Sequence, residues 1–438
     1  MLSAEKNALL TQVGPGTPMG GFMREHWLPC YASSDLVADD RPAQIRLLGE
    51  DLLLWRATDG RVGLVDPVCP HRGAPLMYAR NEQCGLRCVY HGWKFDVDGN
   101  CLEMPTEPPE SRFLAKIRLR HHPCVERGGI VWAYLGEADP PPPLPDLEWN
   151  LVPDAQCHVS IRVQDCNWLQ ALEGEVDSAH APILHGRVDG GGSVADMLAS
   201  TDLQPSFDAL RQGFGVSVAA KRRAAEGHLY WRVNQFLLPF YTLVPPQGRY
   251  PELSGHAWVP VDDHHTLCLM FSYHPDQPLP ARTVELYEQG YKGRETGHVS
   301  VHARDPDARG PYARYRTRYR RDNEFAFDYD SQVSTYFSGL PGLWVQDAAC
   351  QSGSLPVLDR SREHLSSSDA GIALVRRSLL DAVTTHRDGG ELPAPATDPS
   401  ASMIRAVSLL LKEDESWFEA AESPMRARLG TGFGYEVP

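Results

Sequence analysis

Two short boxes constrain this chain more than anything else in it. Cys69-Pro70-His71 and Cys88-Val89-Tyr90-His91 each offer one thiol and one imidazole, with sixteen residues between them, and a glycine follows each box, Gly73 after Arg72 and Gly92 directly. Two cysteines and two histidines are the donor set of a metal site. Tetrahedral zinc accepts the same set, but a zinc finger usually pairs its cysteines first and its histidines later. A cluster of two irons and two sulfides, with thiolates on one iron and imidazoles on the other, takes one donor of each kind from two loops that close over it from opposite sides. Glycines after the boxes let backbone amides turn towards the cluster sulfurs, where hydrogen bonds stabilise the reduced state. The box pattern therefore points to iron and sulfur.

Such loops need a small β scaffold, and the chain supplies one. Gln44–Leu48, Leu52–Arg56 and Val62–Val65 read as short strands, and Asp98-Gly99-Asn100 closes a hairpin after Trp93-Lys94-Phe95. At 438 residues the chain is too long for one ordinary domain. The proline run from Asp139 to Pro145 can continue neither strand nor helix and marks a boundary. The expected division is an N-terminal extension over 1–25, the β domain over 26–140 and a larger α+β domain over 141–438. In the latter, Asn167–His185 is a helical candidate interrupted by Pro182. Gly227–Val244 and Gly255–Tyr273 read as long antiparallel strands, and Gly371–Thr385 and Ser400–Leu411 carry apolar residues at helical spacing.

A net charge of −15 argues against nucleic acid or anionic lipid as a partner. No run of eighteen apolar residues and no leader pattern occurs, so a soluble cytoplasmic protein without membrane contact is the expectation. The cysteines outside the boxes, Cys30, Cys84, Cys101, Cys124, Cys157, Cys166, Cys268 and Cys350, have no histidine paired in such a box and read as packing. Asp189-Gly190-Gly191-Gly192-Ser193 neither ends a strand nor carries a following Lys-Ser/Thr, so it is a loop and not a phosphate cradle.

A second constellation lies in the larger domain, where Asp177, His180 and His185 are spaced Asp-x-x-His-x-x-x-x-His. Two imidazoles and a carboxylate hold ferrous iron on one face and leave positions open for oxygen. On an ideal helix His180 and His185 would point about 140° apart, so the helix must bend or end between them, and Pro182 gives a reason.

The two boxes, continued as Arg72-Gly73-Ala74-Pro75-Leu76 and Gly92-Trp93-Lys94-Phe95, resemble those of the Rieske aromatic-ring-hydroxylating oxygenases. Respiratory Rieske proteins carry an extra cysteine in each loop, at positions that are Ala74 and Tyr90 here. Asn167–His185 resembles the mononuclear-iron motif of the same family, and Asn167-Trp168-x-Gln170-x-x-Glu173-Gly174 is similar to its phthalate dioxygenase branch.

The resemblance implies an all-β Rieske domain followed by a helix-grip, START-like α+β domain with a large antiparallel sheet. It implies a [2Fe-2S] cluster on Cys69, His71, Cys88 and His91, and mononuclear Fe(II) on His180, His185 and, by the late motif Gly342–Asp347, Asp347. Surface acids such as Asp369 and Asp381 fit that role less well. Asp177 is then no ligand but a bridge from an iron-binding histidine to a cluster histidine, His71 or His91, of the neighbouring subunit. Electrons from NAD(P)H come through a separate flavin and iron–sulfur reductase, since the chain has no nucleotide fingerprint. Dioxygen and an aromatic acid are the expected substrates, in a homotrimer or hexamer. A carboxylate in an apolar pocket calls for arginine. Arg222 and Arg249 are named for it from the basic residues Lys221, Arg222, Arg223 and Arg249, while His264 and His265 read as a polar turn.

Overall fold

Leu52, Leu53, Leu54 and Trp55 form a continuous apolar run, which an exposed strand could not tolerate and which follows from burial on both faces. In the computed structural model, Leu52 and Leu54 enter a core shared with the second half of the chain, while Leu53 and Trp55 enter a smaller core that also holds Cys69 and Cys88. Leu64 and Val65 split in the same way. One strand thus welds the loops that carry the two boxes to the rest of the protein. The structure describes residues 2–108, 110–190, 202–224, 227–248, 251–291, 300–353 and 355–438.

The described residues of the N-terminal part form three small antiparallel sheets. Leu28–Ala32, Ile130–Ala133 and Cys124–Arg127 form one, and Ala43–Leu47, Glu50–Arg56, Val62–Val65 and His121–His122 the next. Arg80–Glu82, Gly85–Arg87, Lys94–Phe95 and Cys101–Glu103 form the third. The turn at Asp98–Asn100 is built as its sequence suggests: Asp96 Oδ1 accepts from the amides of Asp98 and Asn100, and Gly99 takes φ +74°.

The second part is built on an eight-stranded antiparallel sheet, ordered Cys157–Gln164, His265–Tyr273, Leu253–Asp262, Tyr241–Val244, His228–Leu237, Gly215–Arg223 and Ser206–Gln212, with Val407–Lys412 pairing the His228–Leu237 strand. Each of the two long strands expected from sequence is two strands. Leu238-Pro239-Phe240 breaks the first, because proline cannot donate to a ladder. The second folds at Asp262–His265, where Asp262 Oδ1 accepts from the His264 amide. The expected helix over Ser400–Leu411 is incorrect. A 3-10 turn at Pro399–Ser402 precedes a strand at Val407–Lys412, whose Val407, Ser408 and Leu409 find partners in Val233, Arg232 and Trp231. The helix Ala370–Arg387 forms as its periodicity suggests. A ring stack of Trp132, Trp149 and Phe271 ties the two parts together. Among the described residues no helix is long and apolar enough to cross a membrane.

One helix positions the second constellation. Asn167 caps Trp168–Val176 by accepting from the Leu169 amide, and its own amide donates to the carbonyls of Thr11 and Asp263. Glu173, on the buried face, accepts from both Arg360 (2.9 Å) and Arg376 (2.6 Å). Burial pushes the Glu173 carboxyl up, but the charges of Arg360 and Arg376 outweigh it and hold the group below its ordinary 4.5. Removing one partner of a buried cluster leaves uncompensated charge. Glu173→Gln is therefore expected to cost about 3 to 5 kcal/mol in urea unfolding. In the parent, a depressed carboxyl contributes fully above its unfolded pKa, so this contribution is complete at neutral pH and fades as pH falls through the depressed value. In the variant that acid-side loss should shrink.

Candidate metal centres

The two boxes become the same turn built twice. In the first, the Gly73 amide donates to the Cys69 carbonyl (2.9 Å) and the Cys69 amide to the Ala74 carbonyl (2.8 Å). In the second, Gly92 donates to Cys88 (2.9 Å) and Cys88 to the Trp93 carbonyl (2.8 Å). Both glycines lie at positive φ, +70° and +77°, where a side chain is strained. The second turn links the paired strands Gly85–Arg87 and Lys94–Phe95, and the Val68–Pro75 bridge closes the first.

This turn sends the thiols inward and the imidazoles outward. Cys69 and Cys88 are buried, and burial together with the neighbouring Cys88 pushes the Cys69 thiol up to about 11, whereas metal coordination would take its proton. His71 and His91 lie edge to face with ring centroids 4.5 Å apart, and His71 stacks on Trp93 at 4.2 Å. One tetrahedral zinc would draw all four donor atoms to within about 4 Å of one another. No three of these donors gather within 4.8 Å. The set is spread for a group wider than a single ion, as a two-iron cluster is.

The second constellation does close around one point: His180, His185 and Asp347 bring one ligand atom each within 4.8 Å of one another. His180 Nε2 and His185 Nε2 lie 3.5 and 3.4 Å from Asp347 Oδ1. The sequence expectation placed the helix break at Pro182; the break falls earlier. Asp177 leaves the helix with extended backbone, and a short second helix, Ala181–Leu184, starts after His180. Pro182 sits in its first turn, where a missing N–H costs nothing. The kink brings both imidazoles to Asp347, which is carried on the helix Leu343–Ser352.

Each ring is held from behind. His180 Nδ1 meets Asp177 Oδ2 at 3.2 Å, while Asp177 Oδ1 accepts from the Ala179 amide. His185 Nδ1 donates to Gln346 Oε1 at 2.8 Å, and the Gln346 amide is itself tied to the Leu340 carbonyl. Both Nε2 atoms are thereby turned towards Asp347. Against burial, which acts downward, Asp177 and Asp347 raise the His180 imidazole to about 10, so the point between these groups attracts positive charge. Sequence reasoning gave Gln346 no role, and its only signal was its place beside Asp347.

The remaining basic residues disperse. Arg222 is buried and donates to the Ser178 carbonyl at 2.7 Å, holding the kink between the two short helices. Arg223 pairs with Asp202, and Lys221 lies over Trp231. Arg249 and Gly191–Ser193 lie outside the described residues. His265 meets Asp262 in the hairpin turn, and His264 donates its amide there.

If Gln346 fixes the tautomer of His185, Gln346→Ala should lower iron affinity about 10- to 100-fold. Competition with a ferrous chelator measures this, with an unchanged unfolding midpoint as the control.

Known proteins resemble both parts of the chain. A family profile described as Rieske [2Fe-2S] domain matches residues 26–123, and one described as LigXa C-terminal domain like matches 133–424. The chain is 36% identical to the 3-chlorobenzoate-3,4-dioxygenase oxygenase subunit of Comamonas testosteroni, covering 91% of this chain and 92% of that one. It is 35% identical to the phthalate 4,5-dioxygenase oxygenase subunit of Pseudomonas putida, covering 95% and 94%. The terminal oxygenase of carbazole 1,9a-dioxygenase from Nocardioides aromaticivorans IC177 shares the fold, with a TM-score of 0.57 at 16% identity over 86% of this chain and 97% of that one. The chain belongs to the Rieske-type ring-hydroxylating oxygenases, as an oxygenase subunit of the phthalate 4,5-dioxygenase-like branch that carries a [2Fe-2S] cluster and a mononuclear iron.

Proposed function

We propose that this chain is the terminal oxygenase that hydroxylates an aromatic carboxylate, with electrons from NAD(P)H delivered by a separate reductase. The observation that carries the reading is one chain holding both a wide set of two cysteines with two histidines and a closed triad of two histidines with a carboxylate. Relatives named for chlorobenzoate and phthalate support the substrate class. In this reading residues 26–140 form the cluster domain and 141–438 the catalytic domain, after an extension over 1–25. Cys69 and Cys88 hold one iron of the cluster, His71 and His91 the other, and His180, His185 and Asp347 the ferrous iron. When bound, the cluster passes single electrons and the ferrous iron activates dioxygen.

The chain's own residues orient these groups. Gln346 keeps a proton on His185 Nδ1, and Asp177 does the same for His180, which leaves each Nε2 free as a ligand. Among the described residues Asp177 bonds only to Ala179 and His180. That supports a partner for it on a neighbouring copy, a cluster-binding His71 or His91, in a trimer or hexamer. The second box presents exposed Val89 and Tyr90, with the Tyr90 ring centroid 3.9 Å from that of His91, as a contact surface requires.

Two measurements test the reading. The purified chain with NADH alone should form no product, and addition of a surrogate reductase should give oxygen-dependent hydroxylation of phthalate or a chlorobenzoate; sustained turnover without reductase contradicts it. Methoxybenzoates in the same panel report O-demethylation, by release of a phenol. Asp177→Asn should lower coupled product formation about 10- to 100-fold with both centres loaded. Parental rates in that variant would exclude the bridging role.

A further inference from the structure

Arg162 lies in the middle of the strand Cys157–Gln164, at 4% exposure. Its Nε has no hydrogen-bond partner, and its guanidinium makes no hydrogen bond or ion pair with any described residue. Its guanidinium carbon lies 5.8 Å from the centroid of the Trp344 ring. A buried, unpaired cation is costly. The other buried arginines described in this domain are spent: Arg360 and Arg376 on Glu173, Arg405 on Glu148, Arg222 on Ser178 and Arg232 on Gln247.

The register of the sheet fixes where Arg162 points. It faces Cys268, which faces Trp258, so all three project from one side, with His256 and Thr242 on the same side. Glu175 of the Trp168–Val176 helix meets Thr242 at 2.9 Å on that side. Gln164, two residues beyond Arg162, meets Gln351 of the Asp347 helix at 2.7 Å. The helix that leads to His180 and the helix that carries Asp347 therefore cover the face into which Arg162 projects. Trp344 is three residues before Asp347 and so lies one turn away on the same helix. The charge of Arg162 also helps hold Asp347 low, after burial, which acts upward, and the two histidines.

We propose that Arg162 anchors the carboxylate of the substrate, its guanidinium over the Trp344 ring and its donor edge turned to the anion. This rests on the aromatic-acid reading and assigns the anchor within it. A planar guanidinium binds a planar carboxylate through two parallel hydrogen bonds. The neighbours Cys268, Met270 and Trp258 suit a flat apolar ring. With Trp344 beside the guanidinium and one turn from Asp347, an acid held by the fork has its ring placed relative to Asp347 as well.

The test compares 3-chlorobenzoate with its neutral isostere 3-chlorobenzamide, by calorimetric titration of the oxidised holoenzyme, in which no turnover occurs. The parent should prefer the carboxylate about 30-fold or more. Arg162→Met should abolish the preference while changing amide affinity less than about threefold, and Arg162→Gln should do the same. Neither variant should unfold at a lower temperature than the parent without ligand, because an unpaired buried charge has been removed. A preference retained in both variants overturns the proposal, and so does its loss in Arg222→Gln alone; in either case the aromatic-acid reading survives. A parent that binds neither compound and hydroxylates no aromatic acid overturns both.

Discussion

The catalytic half of this protein depends on a carboxylate cut off from water. Glu173 is clamped between Arg360 and Arg376, and the helix that bears it can sit in only one position over the sheet. From that fixed end the chain runs four residues to Asp177, where the helix stops, and three more to His180. The kink would be a mobile turn on an unanchored helix. Here Arg222 holds the Ser178 carbonyl on one side and Asp177 accepts from Ala179 on the other. The two imidazoles thus reach Asp347 with little freedom left. A metal site that must receive dioxygen needs ligands placed before the metal arrives, and the rigidity of this corner supplies that order.

The cluster loops achieve the same end by a different route. Each is a short turn closed by two backbone hydrogen bonds, and each puts its cysteine into a core and its histidine at the surface. The histidine-bearing end is the more accessible one, which under the proposed reading is where electrons would reach or leave the cluster. The strand Glu50–Arg56, with alternate side chains in two cores, makes those loops continuous with the catalytic domain.

Much of this was legible in the sequence because chemistry restricts it. Cys69, His71, Cys88 and His91 leave few ligands to choose from, and His180 and His185 gain meaning from their position downstream of them. Asp347 could be named only through a resemblance, since nothing local separates it from many other acids. What could not be read was set by distant partners. Val407–Lys412 has apolar spacing compatible with a helix, and only the free edge of the strand His228–Leu237 makes it a strand. Gln346 lies inside the late motif with nothing to single it out, and Arg162 belongs to no motif. The role of the first and the one proposed for the second come from facing His185 and Trp344 across gaps of 161 and 182 residues in sequence.

The central claim is that one chain holds two separate iron centres on the residues named. Anomalous difference maps from crystals of the iron-loaded protein, recorded on either side of the iron edge, test it most directly. The account predicts a pair of iron peaks bounded by Cys69 and Cys88 on one side and His71 and His91 on the other. It predicts a third, isolated peak within bonding distance of His180, His185 and Asp347. A single peak among the four cluster residues, or an iron bound at the second centre without Asp347, would contradict it.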